Sequence, residues 1–165
     1  MESSIGFSLI TSSGIKYEIP DNLTLDNYDI NSTLYQYYTS YQPYCETNDT
    51  NIINTSLSVT DGLSSLNEII DAIYLYVVEN RQYVSMTGSI GAAAALSEKA
   101  GVCSEYSSLM VALLRTVGIP ARKVLGISLV NEDPSAQTPK YDLQVGDVWS
   151  YSPDEDNIPG HAWVQ

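Results

Sequence analysis

The sequence has little positive charge, a single histidine and only two cysteines. Its 165 residues contain 7 Lys and Arg against 20 Asp and Glu, which gives a net charge of −13. So few cations make the chain a poor match for nucleic acid, whose phosphates bind Lys and Arg. We therefore expect no nucleic-acid partner. This net charge is compatible with a cationic or neutral partner. An acidic surface also favours solubility when there is no such partner.

Long apolar runs and metal-ligand spacings are also missing. No run approaches the roughly 20 apolar residues of a membrane helix, so we expect no membrane insertion. One histidine and two distant cysteines, Cys45 and Cys103, give no zinc pattern, and we expect no metal and no cofactor. The two cysteines could form one disulfide or remain two free thiols, and the sequence does not decide between these alternatives. Nothing in the sequence indicates an oligomeric state.

Residues 1–60 form a polar segment rich in Asn, Thr and Tyr, which we separate from a core of residues 61–165. Apolar positions at helical spacing predict a short helix over residues 34–41, and residues 44–60 are interpreted as a loop or linker. The segment holds Asn-x-Ser/Thr triplets, which favour the cell exterior or surface only weakly because they also arise by chance in this composition. The four triplets begin at Asn22, Asn31, Asn48 and Asn54.

Helix signals become clear after residue 61. Ser65 and Glu68 have the spacing of a capping box, and the apolar positions that follow predict a helix over residues 65–80. An alanine-rich helix is predicted over residues 92–99. A strongly apolar helix is predicted to begin at Cys103 and to end before Gly118.

Two strands are expected after that helix. The first covers residues 121–130, and the second covers residues 161–165. Because alternate residues of a strand share a face, His161 and Trp163 should point to one side, with Ala162 and Val164 toward a core.

Cys103 and His161 are the candidate catalytic residues. A helix N-terminus presents unpaired N–H groups and partial positive charge, which favour a thiolate over a thiol at Cys103. His161 is the only histidine, so it is the one imidazole that can serve as base for a thiol nucleophile. The N–H of Cys103 would also help to hold an oxyanion. The alternatives are a small core cysteine and an incidental histidine.

Three motifs in order resemble the transglutaminase-like superfamily. They are Gly101-Val102-Cys103, Gly118-Ile119-Pro120-Ala121-Arg122 and His161-Ala162-Trp163. The resemblance covers roughly residues 65–165. It implies an α+β fold with a papain-like or transglutaminase-like core, in which a central helix with the nucleophile packs on an antiparallel sheet with the base.

The resemblance also implies an activity. Cys103 matches the nucleophile and His161 the base of acyl transfer at peptide or isopeptide amide bonds through a thioester, which implies a peptide or protein substrate. Hydrolysis is our first expectation and cross-linking transamidation the second. A non-catalytic cell-surface scaffold or interaction module with the same fold is a third. Gln82 and Tyr83 lie where some relatives place an oxyanion donor, and Trp163 is expected to form a wall of the site.

The third catalytic residue of the family is usually an Asp on the strand after the histidine. The sequence ends four residues after His161. We therefore expect a C-terminally truncated domain with weak or no activity, because an orienting Asp contributes strongly to catalysis in comparable triads.

Overall fold

The computed structural model describes residues 5–8, 20, 22–84, 88–127, 148–151 and 160–165. The chain divides into two compact units. One comprises Met1–Glu18 and Gly126–His161, and the other comprises Ile19–Leu125 and Ala162–Gln165. In the first unit, strand β1 (Ile5–Ser8) pairs antiparallel with strand β5 (Val148–Tyr151).

The second unit is built mainly from helices around a central one. A short 3-10 helix, Leu25–Asn27, is followed by α1 (Thr33–Thr39), α2 (Thr50–Val59), α3 (Leu66–Glu79), α4 (Gly91–Glu98) and α5 (Cys103–Thr116). Helices α2, α3 and α4 all pack against α5. Leu109 and Leu113 of α5 are completely buried. The predicted strongly apolar helix is therefore confirmed as the centre of this unit.

Helix α3 forms where its capping residues and apolar spacing predict it. The Ser65 hydroxyl accepts the Glu68 N–H at 3.2 Å, and the Glu68 carboxylate accepts the Ser65 N–H at 3.4 Å. This exchange satisfies two N–H groups that a helix start leaves unpaired. The buried positions, at 3- and 4-residue spacing, are Leu66, Ile69, Ile73 and Val77.

The interpretation of residues 44–60 as a loop or linker was wrong for Thr50–Val59, which form α2. Asp49 caps α2 by accepting the N–H groups of Asn51 and Ile52 at 2.8 and 3.1 Å. Ile52 and Ser56 are fully buried, and the Ser56 hydroxyl donates to the Leu113 carbonyl of α5 at 3.2 Å. A serine whose hydroxyl is satisfied in this way can occupy a core position that helical periodicity assigns to an apolar residue.

Short strands complete the described fold, which is α+β as expected. Strand β2 (Gln82–Tyr83) pairs in parallel with β3 (Ala100–Gly101). Strand β4 (Lys123–Ile127) lies within the predicted strand 121–130, of which residues 128–130 fall outside the described part. It forms a two-stranded sheet with β6 (Gly160–Val164).

Arg122 and Gln165 exchange backbone hydrogen bonds of 2.7 and 2.9 Å beside these two strands. A reciprocal exchange of this kind is typical of an antiparallel pair. Within the described residues, no helix combines the length and apolarity that a membrane span requires.

Candidate active site

Cys103 is the first residue of α5, and its half-buried thiol is free. Val102 lies just before the helix in an extended conformation and accepts the N–H groups of Glu105 and Tyr106. Among the described residues, no acceptor binds the N–H of Cys103 or of Ser104. Unpaired N–H groups at a helix start bind anionic oxygen and sulfur well. These two N–H groups are therefore placed to donate to an anionic oxygen, and a catalytic role for Cys103 stays a prediction.

Glu105 fixes the turn that carries Cys103. Its side chain is completely buried, with one carboxylate oxygen accepting the Val102 N–H at 3.3 Å and the other accepting the Ser89 hydroxyl at 3.1 Å. Val102 has no side-chain oxygen, so only this half of a capping box forms. A Cβ atom at Gly101 would lie 2.4 Å from the Glu105 Cβ, so the close approach requires glycine there.

Glu105 was not predicted from the sequence to be part of this site. Glu105 lies three residues after Val102, which is the capping-box position. This spacing is the sequence signal that could have identified it. A negative charge in the first turn also interacts favourably with the helix dipole.

The residues expected near an oxyanion lie beside the segment that leads into Cys103. The Gln82 N–H donates to the Lys99 carbonyl at 3.0 Å, and the Val84 N–H donates to the Gly101 carbonyl at 3.0 Å. The Tyr83 ring packs against the Tyr106 ring, and their centroids lie 5.9 Å apart. Gln82 and Tyr83 are thus brought close to the start of α5, and their contribution to oxyanion binding stays a prediction.

His161 and Trp163 lie on one exposed face of β6, as predicted from strand alternation. Ala162, between them, is 5 % exposed, and Val164 packs against the core. His161 and Trp163 are exposed. Because His161 falls in the first unit and Cys103 in the second, the pairing of their side chains stays a prediction.

Cys45 is a second free thiol and is buried. The alternative of a bridge between Cys45 and Cys103 is therefore wrong. Burial raises the pKa of the Cys45 thiol, and the nearby Arg115 and Lys123 partly oppose that effect while Glu46 adds to it. Cys45 is placed as an inert core thiol. Among the described residues, no group of three or more His, Cys, Asp and Glu side chains could hold a metal ion.

Comparisons with known proteins identify the family to which this chain belongs. Residues 53–165 match the model of the transglutaminase-like superfamily core. The fold resembles the crystal structure of a candidate cysteine protease from Cytophaga hutchinsonii, with a TM-score of 0.58 and 19 % sequence identity. The likeness covers 87 % of this chain and 40 % of that one. No curated protein sequence matches the chain significantly. Because the family match extends over well more than half of its length, the protein belongs to the transglutaminase-like superfamily.

Proposed function

We propose that the protein performs acyl transfer at peptide or isopeptide amide bonds, with Cys103 as nucleophile and His161 as base. The observation that carries this proposal is the free Cys103 thiol at the N-terminus of α5, beside N–H groups that have no acceptor in the described part of the chain. Membership of the transglutaminase-like superfamily supports cysteine-based catalysis. Hydrolysis is favoured because the fold also resembles a candidate cysteine protease.

The first half of the reaction makes a thioester. The His161 imidazole takes the thiol proton, and the Cys103 sulfur adds to the amide carbonyl carbon. The N–H of Cys103, with a donor from Gln82 or Tyr83, holds the negative oxygen of the tetrahedral intermediate. The C–N bond then breaks, and the imidazolium gives its proton to the leaving amine.

The second half decides the type of reaction. Water activated by His161 adds to the thioester carbonyl and releases a carboxylic acid, which completes hydrolysis. A primary amine in the same place releases a new amide and completes a cross-link. Both routes restore the Cys103 thiol, so transamidation is the second candidate. A scaffold that keeps this fold without turnover is the third.

Covalent capture tests whether Cys103 is a reactive nucleophile, because its sulfur displaces chloride from a chloromethyl ketone and forms a stable thioether. A peptidyl chloromethyl ketone should label Cys103 in the wild type and in Cys45→Ala, and should label nothing in Cys103→Ala. Cys45→Ala is the matched control because each variant removes one thiol. Folded protein with no label at Cys103 would exclude the enzymatic proposal and favour the scaffold.

Product analysis separates hydrolysis from transamidation. Casein is incubated with the protein in ¹⁸O-labelled water, with and without excess cadaverine, and peptides are analysed by mass spectrometry. Hydrolysis puts ¹⁸O into new carboxylates even when cadaverine is present. Cadaverine adducts that replace those carboxylates would establish transamidation.

A further inference from the structure

A cavity of about 330 Å³ opens in the second unit, and Cys103 is not among its lining residues. One wall comes from the segment around α1 and Cys45, and the other from α5 and the start of β4. Tyr and Pro side chains supply much of the first wall. The volume of the cavity is within the range of small-molecule binding sites.

Positive charge is concentrated on this cavity in a chain whose net charge is −13. Arg115, Arg122 and Lys123 all line it, and they are three of only seven Lys and Arg residues in the sequence. None of the described residues lining it is Asp or Glu. Glu46 lies nearby, but its carboxylate accepts the N–H groups of Ala92 and Ala93 at 2.8 and 3.1 Å.

Neutral groups hold all three cations in place. Arg115 is 4 % exposed, and its Nε and Nη1 donate to the backbone carbonyls of Ala121 and Ser40, both at 2.8 Å. Carbonyl oxygens orient the guanidinium group but leave its full charge uncompensated. A charge that is buried without a counter-ion is costly, so a bound anion would stabilise this arrangement.

The other two cations follow the same pattern. The Lys123 ammonium donates to the hydroxyls of Ser108 at 2.9 Å and Ser104 at 3.2 Å. Arg122 donates through Nε and Nη2 to the Gln165 side-chain oxygen, and its guanidinium carbon lies 5.8 Å from the Tyr38 ring centroid. No carboxylate of the described residues forms an ion pair with any of the three. Hydrogen bonds keep the cations positioned while their charge remains available to a ligand.

The geometry points to a binding site for a small organic carboxylate in this cavity. Guanidinium groups match the two oxygens of a carboxylate, and Lys123 adds a point charge. The apolar body of the ligand would lie against Val111 and the Tyr and Pro side chains of the opposite wall. Binding there does not require Cys103 to be catalytic, so the site stands or falls separately from the proposed function.

Benzoate and benzamide are matched probes because they differ in charge and hardly in shape. We expect benzoate, titrated at constant ionic strength, to shift the ¹H–¹⁵N NMR signals of Cys45, Ser108 and Val111 in a saturable way. Benzamide should shift them little. Equal binding of both probes, or no saturable shift with benzoate, would overturn the proposal. Tighter binding of inorganic phosphate than of benzoate would overturn the assignment to a carboxylate.

Variants locate the site and test the role of charge. Arg122→Gln and Lys123→Met should each weaken benzoate binding about tenfold, because each removes a charge-assisted hydrogen bond. Lys99→Gln, which removes an exposed cation outside the cavity, should leave the affinity unchanged. The same spectra report whether each variant is folded. Folded variants that bind benzoate as tightly as the wild type would contradict the proposed site.

Discussion

Glu105 offers a test of how the turn at Cys103 is held. Replacing Glu105 with Ala removes the acceptor of the Val102 N–H and of the Ser89 hydroxyl. Hydrogen bonds to a charged group contribute about 1.5–3 kcal/mol, and a carboxylate in the first turn of a helix adds about 0.3–1 kcal/mol. Desolvation of a fully buried carboxylate offsets part of this gain. We expect a net loss of about 2 kcal/mol in the free energy of unfolding.

Urea denaturation followed by circular dichroism measures this loss. With a slope of about 2 kcal/mol per molar urea, the midpoint should fall by about 1 M. Glu105→Gln keeps the shape of the side chain and one acceptor, so its denaturation midpoint should fall by roughly half as much. Glu98→Ala, which removes an exposed carboxylate from the last turn of α4, should stay within about 0.5 kcal/mol of the wild type. A midpoint of Glu105→Ala at or above that of the wild type would refute the reasoning.

Three further changes test the core around α5. Leu113→Ala truncates a fully buried side chain and should lower the free energy of unfolding by about 2–5 kcal/mol in urea denaturation; a loss below 1 kcal/mol would speak against close packing. Ser56→Ala removes the hydrogen bond from α2 to the Leu113 carbonyl and should cost about 1 kcal/mol in the same assay, whereas an unchanged midpoint would show that the bond contributes nothing. Burial raises the pKa of Cys45 in the folded protein, so the unfolded chain loses that proton first and stability should fall as the pH rises above about 8.5. Denaturation midpoints from pH 7 to 10 should fall less steeply in Cys45→Ala, and parallel curves would contradict the assignment.

Local signals account for what the sequence predicted about the fold. The bounds of α3 and α5 follow from caps and apolar spacing within single segments, which are properties of neighbouring residues. Helix α2 was missed because Ser56 occupies a core position that periodicity assigns to apolar residues. Its hydroxyl is satisfied by a carbonyl 57 residues away, and no local pattern reveals such a partner.

The same distinction applies to the site. The helix start at Cys103 and the alternation around Ala162 are local, and both were predicted. Arg115 lies in an apolar helix and was not singled out, since the Ser40 carbonyl that holds it is 75 residues away in sequence. The cavity also depends on packing between distant segments, so its lining could not be predicted.

Activation of the Cys103 thiol by His161, which we propose, is tested most directly by the rate at which iodoacetamide alkylates Cys103 at pH 6. Peptide mass spectrometry measures this rate, with Cys45 as an internal control. An ordinary thiol is less than about 1 % thiolate at that pH. We expect Cys103 to react at least ten times faster than a thiol in an unstructured peptide, and His161→Ala to remove that advantage. A rate equal to that of the peptide thiol, unchanged in His161→Ala, would contradict the account.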